Sequence, residues 1–316
     1  VRLWLSSVAE APKQAEEPVN ETDRAKSEAG RARHQASREG GEPGPDEEGR
    51  IPMSPGEVRE VEEKLRLRAP IVYQIVREEG EKELVRPVTS LWWSGLAAGL
   101  AISMSVVSEG LLRMHFPDTL GRNLVENFGY CVGFLIVVLG RLQLFTENTI
   151  TVVLPVIATR TARSLYCLCR LWSVVFVANM AGTFVFAVAA IHGGIFTDSQ
   201  IASFREISLH LMDRSTLEMM LHAIPAGFLI AAMVWMLPSA EGADFWVIIA
   251  ITYVIALGGM VHVVAGSTEA FLLLLLGDIG PWRTFGGFMV PALVGNVIGG
   301  TVLFTLLAYA QVKEEI

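Results

Sequence analysis

The chain has 316 residues, 52% of them hydrophobic and 18% charged, which is too apolar for a soluble domain of this size. Its formal net charge of −8 says little about partners, because the charge is concentrated before Ser90 and no lysine lies between Lys82 and Lys313. From Ser90 onward the chain reads as an integral membrane protein with lipid as its solvent and no nucleic-acid partner.

From the start of the chain, the apolar run Val1–Leu5 is too short for the core of a signal peptide. Residues 1–53 read as a disordered charged tail, with Gly-Gly-Glu-Pro-Gly-Pro at 40–45 and almost no large apolar side chains to pack. Asn20-Glu21-Thr22 matches a glycosylation sequon and is read there as accidental. Residues 54–89 read as a cytoplasmic helical segment that Ser54-Pro55 begins. Within it, Ile71, Val72, Ile75 and Val76 lie opposite Arg77, Glu78, Glu79, Glu81 and Lys82. That pattern predicts an amphipathic helix on the membrane surface or against the spans.

Residues 90–312 are predicted to form six spans, with a short cytoplasmic tail, 313–316, after them. The spans are Ser90–Met114, Asn127–Arg160, Leu165–His192, Leu217–Leu237, Phe245–Gly277 and Thr284–Ala310. The second holds 34 residues. As one helix it would reach roughly 50 Å, against an apolar bilayer core of about 30 Å. The fifth has the same excess, and both carry polar residues midway: Gln143 to Asn148 in one, His262 to Glu269 in the other. Both are therefore predicted to be broken. Arginine and lysine are richer on the side of Arg77, Lys82, Arg86, Arg160, Arg163, Arg170 and Lys313, which places both termini in the cytoplasm. Cys131, Cys167 and Cys169 match no disulfide or metal-ligand spacing and are read as structural.

Faint internal similarities recur in one order. Gly95–Ile102 lies over Ala223–Ile230, Thr146-Glu147 over Thr268-Glu269, and Ala178–Gly182 over Gly295–Gly299. Three spans per repeat is an odd number, so the second half inserts upside down. The fold is an all-α membrane protein, an inverted 3+3 repeat whose broken helices 2 and 5 meet at the midplane.

Backbone that is not helical is tolerated in a bilayer only where protein or water satisfies it, so each break should line a cavity. The half-helix after each break should aim its N–H groups at the midplane and favour an anion there. Thr146 and Ser267 or Thr268 are the residue types expected at those N-caps. His262 is the leading transport residue, since an ionisable group deep in a span is functional by default and imidazole exchanges protons near neutral pH. Arg141, Glu147 and Glu269 are read as further buried charges that line the breaks with Asn148 and Ser267, or as a neutral network that locks them. Glu109 is expected at the membrane interface.

The segments Gly140–Thr149, with Gln143-Leu-Phe-Thr-Glu-Asn-Thr149, and Gly259–Ala265 resemble the formate/nitrite transporter family, and so do Arg68–Gly80 and Leu91–Gly95. The resemblance runs from about Pro70 to the C-terminus. It implies an aquaporin-like protomer in a homopentamer of a bacterial-type inner membrane, passing small monovalent inorganic or carboxylate anions, such as formate, nitrite or hydrosulfide, with protons. It also implies Thr146 and His262 as the central pair and Leu144 and Phe145 as apolar constrictions, with no cofactor or metal. Three positions depart from the family: Val261 where an acid is frequent, Gly266 where Asn is frequent, and residues 193–216, which lack the vestibule lysine, so that Arg205 or Arg214 would substitute. The expected mechanism is protonation of a weak-acid anion at the centre, because a bare carboxylate is costly to bring into an apolar constriction. A neutral-solute pore, or a sensor or scaffold that has kept the fold, are the alternatives. An intramembrane enzyme using Glu147, His262 and Glu269 fares poorly without a zinc or nucleophile motif.

Overall fold

A computed structural model describes residues 54, 56, 67–119 and 121–316. The chain divides into Val1–Leu65 and Arg66–Ile316, and the helices of the transmembrane bundle all belong to the second unit. The expected disordered tail, its sequon and the Ser54-Pro55 helix start lie outside the described residues or on their edge.

The described helices are α1 (Ala69–Leu84), α2 (Val88–Ile102), α3 (Met104–His115), α4 (Arg122–Leu139), α5 (Val153–Thr159), α6 (Ala162–His192), α7 (Asp198–Met212), α8 (Thr216–Met236), α9 (Asp244–Leu257) and α10 (Val263–Leu276). The last span consists of α11 (Pro281–Thr284), α12 (Val290–Val297) and α13 (Leu306–Val312), joined by wide π turns. Among the described residues, five stretches are long and apolar enough to cross a membrane: 88–115, 122–139, 162–192, 216–239 and 281–312. The fifth predicted span falls on two shorter apolar helices, α9 and α10.

Helix α1 buries Val72, Tyr73, Val76, Gly80 and Leu84, while Ile71, expected on the apolar side, is exposed. It lies against α5 so closely that a Cβ on Gly80 would fall 1.8 Å from the carbonyl oxygen of Thr151. The glycines of the repeat work in the same way. A Cβ on Gly99 would meet Gly182 at 2.9 Å, and one on Gly299 would meet the Ile224 carbonyl oxygen at 1.9 Å. Close backbone approach of this kind replaces the hydrophobic drive that helices lack in lipid.

Both breaks exist, and the structure shows how each is made. Helices α4 and α9 end alike, with Gly140 before Arg141 at φ 51° and Gly258 before Gly259 at φ 56°. The next amide then reaches back five residues, Leu142 N–H to Val137 O at 3.0 Å and Met260 N–H to Ile255 O at 2.9 Å. A left-handed residue after a helix satisfies its last carbonyls and turns the chain away. Because Arg141 meets Glu79 of α1, while Gly259 meets Arg214 beside the start of α8, the two turns lie at opposite ends of the bundle. From there each segment dips back to the centre and leaves by the side it came from: residues 147–159 return to α1, and α10 runs out to α7. The second span is thus not a straight rod cut in half. Its first piece, 18 residues, reaches roughly 27 Å on its own.

Two buried asparagines hold the dips. Asn179 Oδ1 accepts from Phe145 N–H at 2.9 Å, and its Nδ2 donates to Gly95 O and Gln143 O. Asn296 Oδ1 accepts from Val263 N–H at 2.8 Å, and its Nδ2 donates to Ala223 O and Val261 O. These bonds support the pairings of Gly95 with Ala223 and of Asn179 with Asn296. They correct the pairing of Thr146-Glu147 with Thr268-Glu269. Phe145 is equivalent to Val263, so Leu144 is equivalent to His262, and Thr268 lies a turn deeper into its helix than Thr146's counterpart.

Candidate functional site

The two dips touch through their side chains. Thr146 Oγ1 and His262 Nε2 are 2.6 Å apart, and both residues are buried. His262 is also the N-cap of α10, its Nδ1 accepting from Ala265 N–H at 3.1 Å. A backbone amide only donates, so Nδ1 carries no proton and the neutral ring bears its proton on Nε2. The ring therefore donates to Thr146 Oγ1. The threonine's own hydroxyl proton is left to be offered elsewhere. Phe134 of α4 stands edge-on to the imidazole with ring centroids 5.0 Å apart.

Capping is where the sequence reading needs correction. Ser267 and Thr268, expected as caps, lie inside α10, fully buried. Ser267 is bonded to Thr183 and Thr268 to Ser103, each at 2.9 Å, so they pin the half-helix to α6 and to the turn between α2 and α3. Thr146 precedes a 3₁₀ turn, Glu147–Thr149, without capping it. The amides expected to await an anion are partly taken, Val263 N–H by Asn296 and Ala265 N–H by the imidazole.

Arg141 is not a buried charge. Its side chain is 80% exposed and pairs with Glu79 at 2.8 Å, because the left-handed turn throws it outward. Glu147 does not meet it in an ion pair, and Glu147 Oε1 is sealed without a hydrogen-bond partner. Asn148 is buried and donates to Gln143 Oε1 and Leu144 O, which stiffens the first dip. Glu109, expected at the interface, is 7% exposed, and so is Glu269.

A cavity of about 400 Å³ opens on the α1 side, lined by Glu79, Glu83, Arg141, Gln143, Leu144 and Glu147 among others. Leu144 is among its lining residues and is fully buried. Phe145 is absent from that lining and packs edge-on against Trp172 and Phe176 of α6. With Glu79, Glu83, Glu147 and Asp244 around it and Arg141 as the one cation among its described lining residues, the cavity is acidic.

The three departures have local explanations. A Cβ on Gly266 would lie 2.6 Å from the Phe288 ring, so asparagine has no room there. Val261 is buried, and its backbone is spent on His222 O and Asn296 Nδ2. Arg205 is bound by Asp278 through two hydrogen bonds, 2.8 and 2.5 Å, and its charge is matched. Arg214 has no carboxylate in an ion pair among the described residues, and its Nη2 lies 2.7 Å from where a Cβ on Gly259 would be. Of the two, Arg214 is the cation left at the mouth of the second dip.

Sequence reasoning passed over Phe134 and Tyr130, which carry no motif. Asn179 and Asn296 were visible as repeat markers, and their place beside small residues in corresponding spans was the available signal of a clamp.

The family described as "Formate/nitrite transporter" matches residues 70–310. The chain is 41% identical over 255 residues to Inner membrane protein YfdC of Escherichia coli (strain K12), covering 80% of this chain and 82% of that protein. It is 26% identical over 241 residues to Uncharacterized transporter YrhG of Bacillus subtilis (strain 168), covering 73% and 88%. Among solved structures, it is similar to a pentameric formate channel with formate bound, at TM-score 0.63, 20% identity and coverage of 72% and 98%. It is likewise similar to an FNT family ion channel, at TM-score 0.64, 18% identity and coverage of 77% and 98%. At such identities the two structures speak for the fold.

Proposed function

The chain belongs to the formate/nitrite transporter family, and from that premise we propose that it passes small monovalent weak-acid anions of the formate, nitrite and hydrosulfide class across a bacterial inner membrane. Each protomer carries its own path, the assembly is a homopentamer, and both termini are cytoplasmic. The chemistry is permeation with proton exchange and involves no covalent turnover.

The observation that carries this reading is the hydrogen bond between Thr146 and His262, which joins the two dips at 2.6 Å. Apolar groups flank it, Leu144 towards the α1 cavity and Phe134 against the imidazole. An isolated carboxylate pays a large desolvation cost in such surroundings, whereas the neutral acid does not. The pair offers what a small acid can use, a hydroxyl proton from Thr146 backed by the imidazole Nε2–H. A second proton on the ring would have to displace the bond from Ala265 N–H that caps α10. Hence the ring acts as a neutral donor, and the proton that neutralises the anion arrives with water or from groups further along the path.

The test is stopped-flow uptake into proteoliposomes, comparing formate, nitrite, acetate, hydrosulfide and glycerol at two pH values. The expected result is uptake of the small anions that rises with acidity and is lost in His262→Phe. Glycerol uptake indifferent to pH would overturn it in favour of a neutral-solute pore, and absence of any flux would leave a sensor or scaffold.

A further inference from the structure

On the α7 side of His262 lies a second buried set of ionisable groups that the permeation mechanism does not use. Glu109 of α3 and Glu269 of α10 are each 7% exposed. Among the described residues, neither carboxyl has a hydrogen bond or an ion pair. Glu147 Oε1 is a sealed, unpartnered oxygen, but no oxygen of Glu109 or Glu269 is sealed in that way, so both carboxyls reach accessible space. Helix α3, which carries Glu109, packs against α10, which carries Glu269, and a Cβ on Gly129, the neighbour of Tyr130, would lie 2.4 Å from the Glu109 backbone nitrogen.

The cluster is tied to the centre of the path. Glu269 lies seven residues beyond His262, the extended N-cap of α10, roughly 10 Å further along that helix. Tyr130 stacks on Phe134 at 5.1 Å, and Phe134 in turn meets the imidazole at 5.0 Å. The other groups facing the cluster are few. Arg214, between α7 and α8, is the cation on this side and reaches Gly259 at the mouth of the second dip. Glu126 faces Glu109 but is engaged by Arg113 and Arg122, and the Cys131 thiol is within range of Glu109. Both carboxyls ionised would set two negative charges against Arg214 alone and turn anions away. Like charges in one desolvated site do not both ionise readily, and such pairs titrate jointly.

We propose that Glu109 and Glu269 form a carboxyl pair that rests protonated on the α7 side of the path and hands one proton to the permeating anion before it reaches Thr146 and His262. In that step one carboxyl O–H bond breaks and an O–H or S–H bond forms on the anion, leaving the pair with a single negative charge, its other carboxyl still protonated, and the permeant neutral. Water entering from the α7 side returns the proton, and nothing is oxidised or reduced. The proposal rests on the weak-acid reading of the path and assigns it a proton source.

The experiment is formate uptake from the α7 side at constant total formate over a series of pH values, with wild type and the double variant Glu109→Gln, Glu269→Gln. Wild type is expected to hold a plateau while the pair is loaded and then to fall. The double variant, which has no proton to give, is expected to lack the plateau and to track the bulk neutral acid, about tenfold per pH unit throughout. A double variant that keeps the wild-type profile overturns the pair, whereas wild type without formate uptake overturns the underlying reading instead. Infrared spectra of the wild-type protein stand apart from variant folding: a protonated-carboxyl band at neutral pH is expected, weakened by Glu109→Gln or Glu269→Gln. Its absence from wild type overturns the proposal.

Discussion

Asn179 and Asn296 hold the two dips by the same three hydrogen bonds, each amide accepting one backbone N–H from its dip and donating to two carbonyls, one in the dip and one in the facing helix. The bonds fix the register of the inverted repeat more firmly than any sequence similarity does. They also answer the question that a non-helical backbone raises inside a bilayer, namely where its polar groups find partners.

Removing either amide should therefore be costly. Asn296→Ala leaves Val263 N–H, Ala223 O and Val261 O without their partner, and each buried unsatisfied group costs about 1–3 kcal/mol. A loss of roughly 3 kcal/mol or more is expected from thermal or denaturant unfolding of the solubilised protein, and a similar loss for Asn179→Ala. Stability within about 1 kcal/mol of wild type would contradict the clamp.

The imidazole tautomer is open to direct measurement. With ¹⁵N-labelled histidine, His262 is expected to give the shifts of a neutral ring protonated on Nε2 across the physiological range. Thr146→Val removes the acceptor of that N–H inside a dry site and should both destabilise the protein by about 1–3 kcal/mol and depress uptake. Thr146→Ser should restore most of each. A ring protonated on Nδ1 would break the cap that the geometry assigns.

Much of this architecture could be read in the sequence because lipid imposes rules that composition reveals. Two apolar runs too long for one crossing, with His262 and Thr146 inside them, could hardly be anything but broken. The register of the break could not be read in the same way, because it depends on which residue takes a left-handed conformation. Gly259 hinted at that, but its counterpart is Arg141, a residue no propensity would choose, at a typical cost of about 1–2 kcal/mol. For the same reason Arg141 was taken for a buried charge when the turn points it outward. Ser267 and Thr268 were misjudged because a hydroxyl serves as readily between helices as at a cap, and the true cap is an imidazole. Glu109 was read from its place along a span, which says nothing about the glycine, Gly129, that lets α4 close over it.

Since Ser267 and Thr268 join helices, their loss should act on stability and leave the anion preference unchanged. In a double-mutant cycle, Thr183→Ala with Ser267→Ala should show a coupling of about 1 kcal/mol, the net worth of a buried neutral hydrogen bond. Thr268→Val with Ser103→Ala should behave likewise. The ratio of formate to nitrite uptake is expected to stay at the wild-type value in every variant that folds. A changed ratio would mean that these hydroxyls meet the permeant.

Arg205 and Arg214 make opposite predictions, although both are arginines near the same mouth. Arg205 is paired with Asp278, so Arg205→Gln with Asp278→Asn removes one charge of each sign and leaves the local field as it was. Arg214 stands beside Gly259 without an ion pair among the described residues, so Arg214→Gln removes a net positive charge from the entrance. One unit charge at 4 Å is worth about 1 kcal/mol in water and more where solvent is partly excluded. Uptake of anions should therefore fall about fivefold or more in Arg214→Gln at low ionic strength, and the difference should shrink as salt screens the entrance. Arg214→Lys, which keeps the charge, should retain most of the rate. Equal effects from the two sites, or an Arg214→Gln defect that salt does not diminish, would mean that Arg214 supports the second dip mechanically, through its contact with Gly259, and has no part in attracting anions.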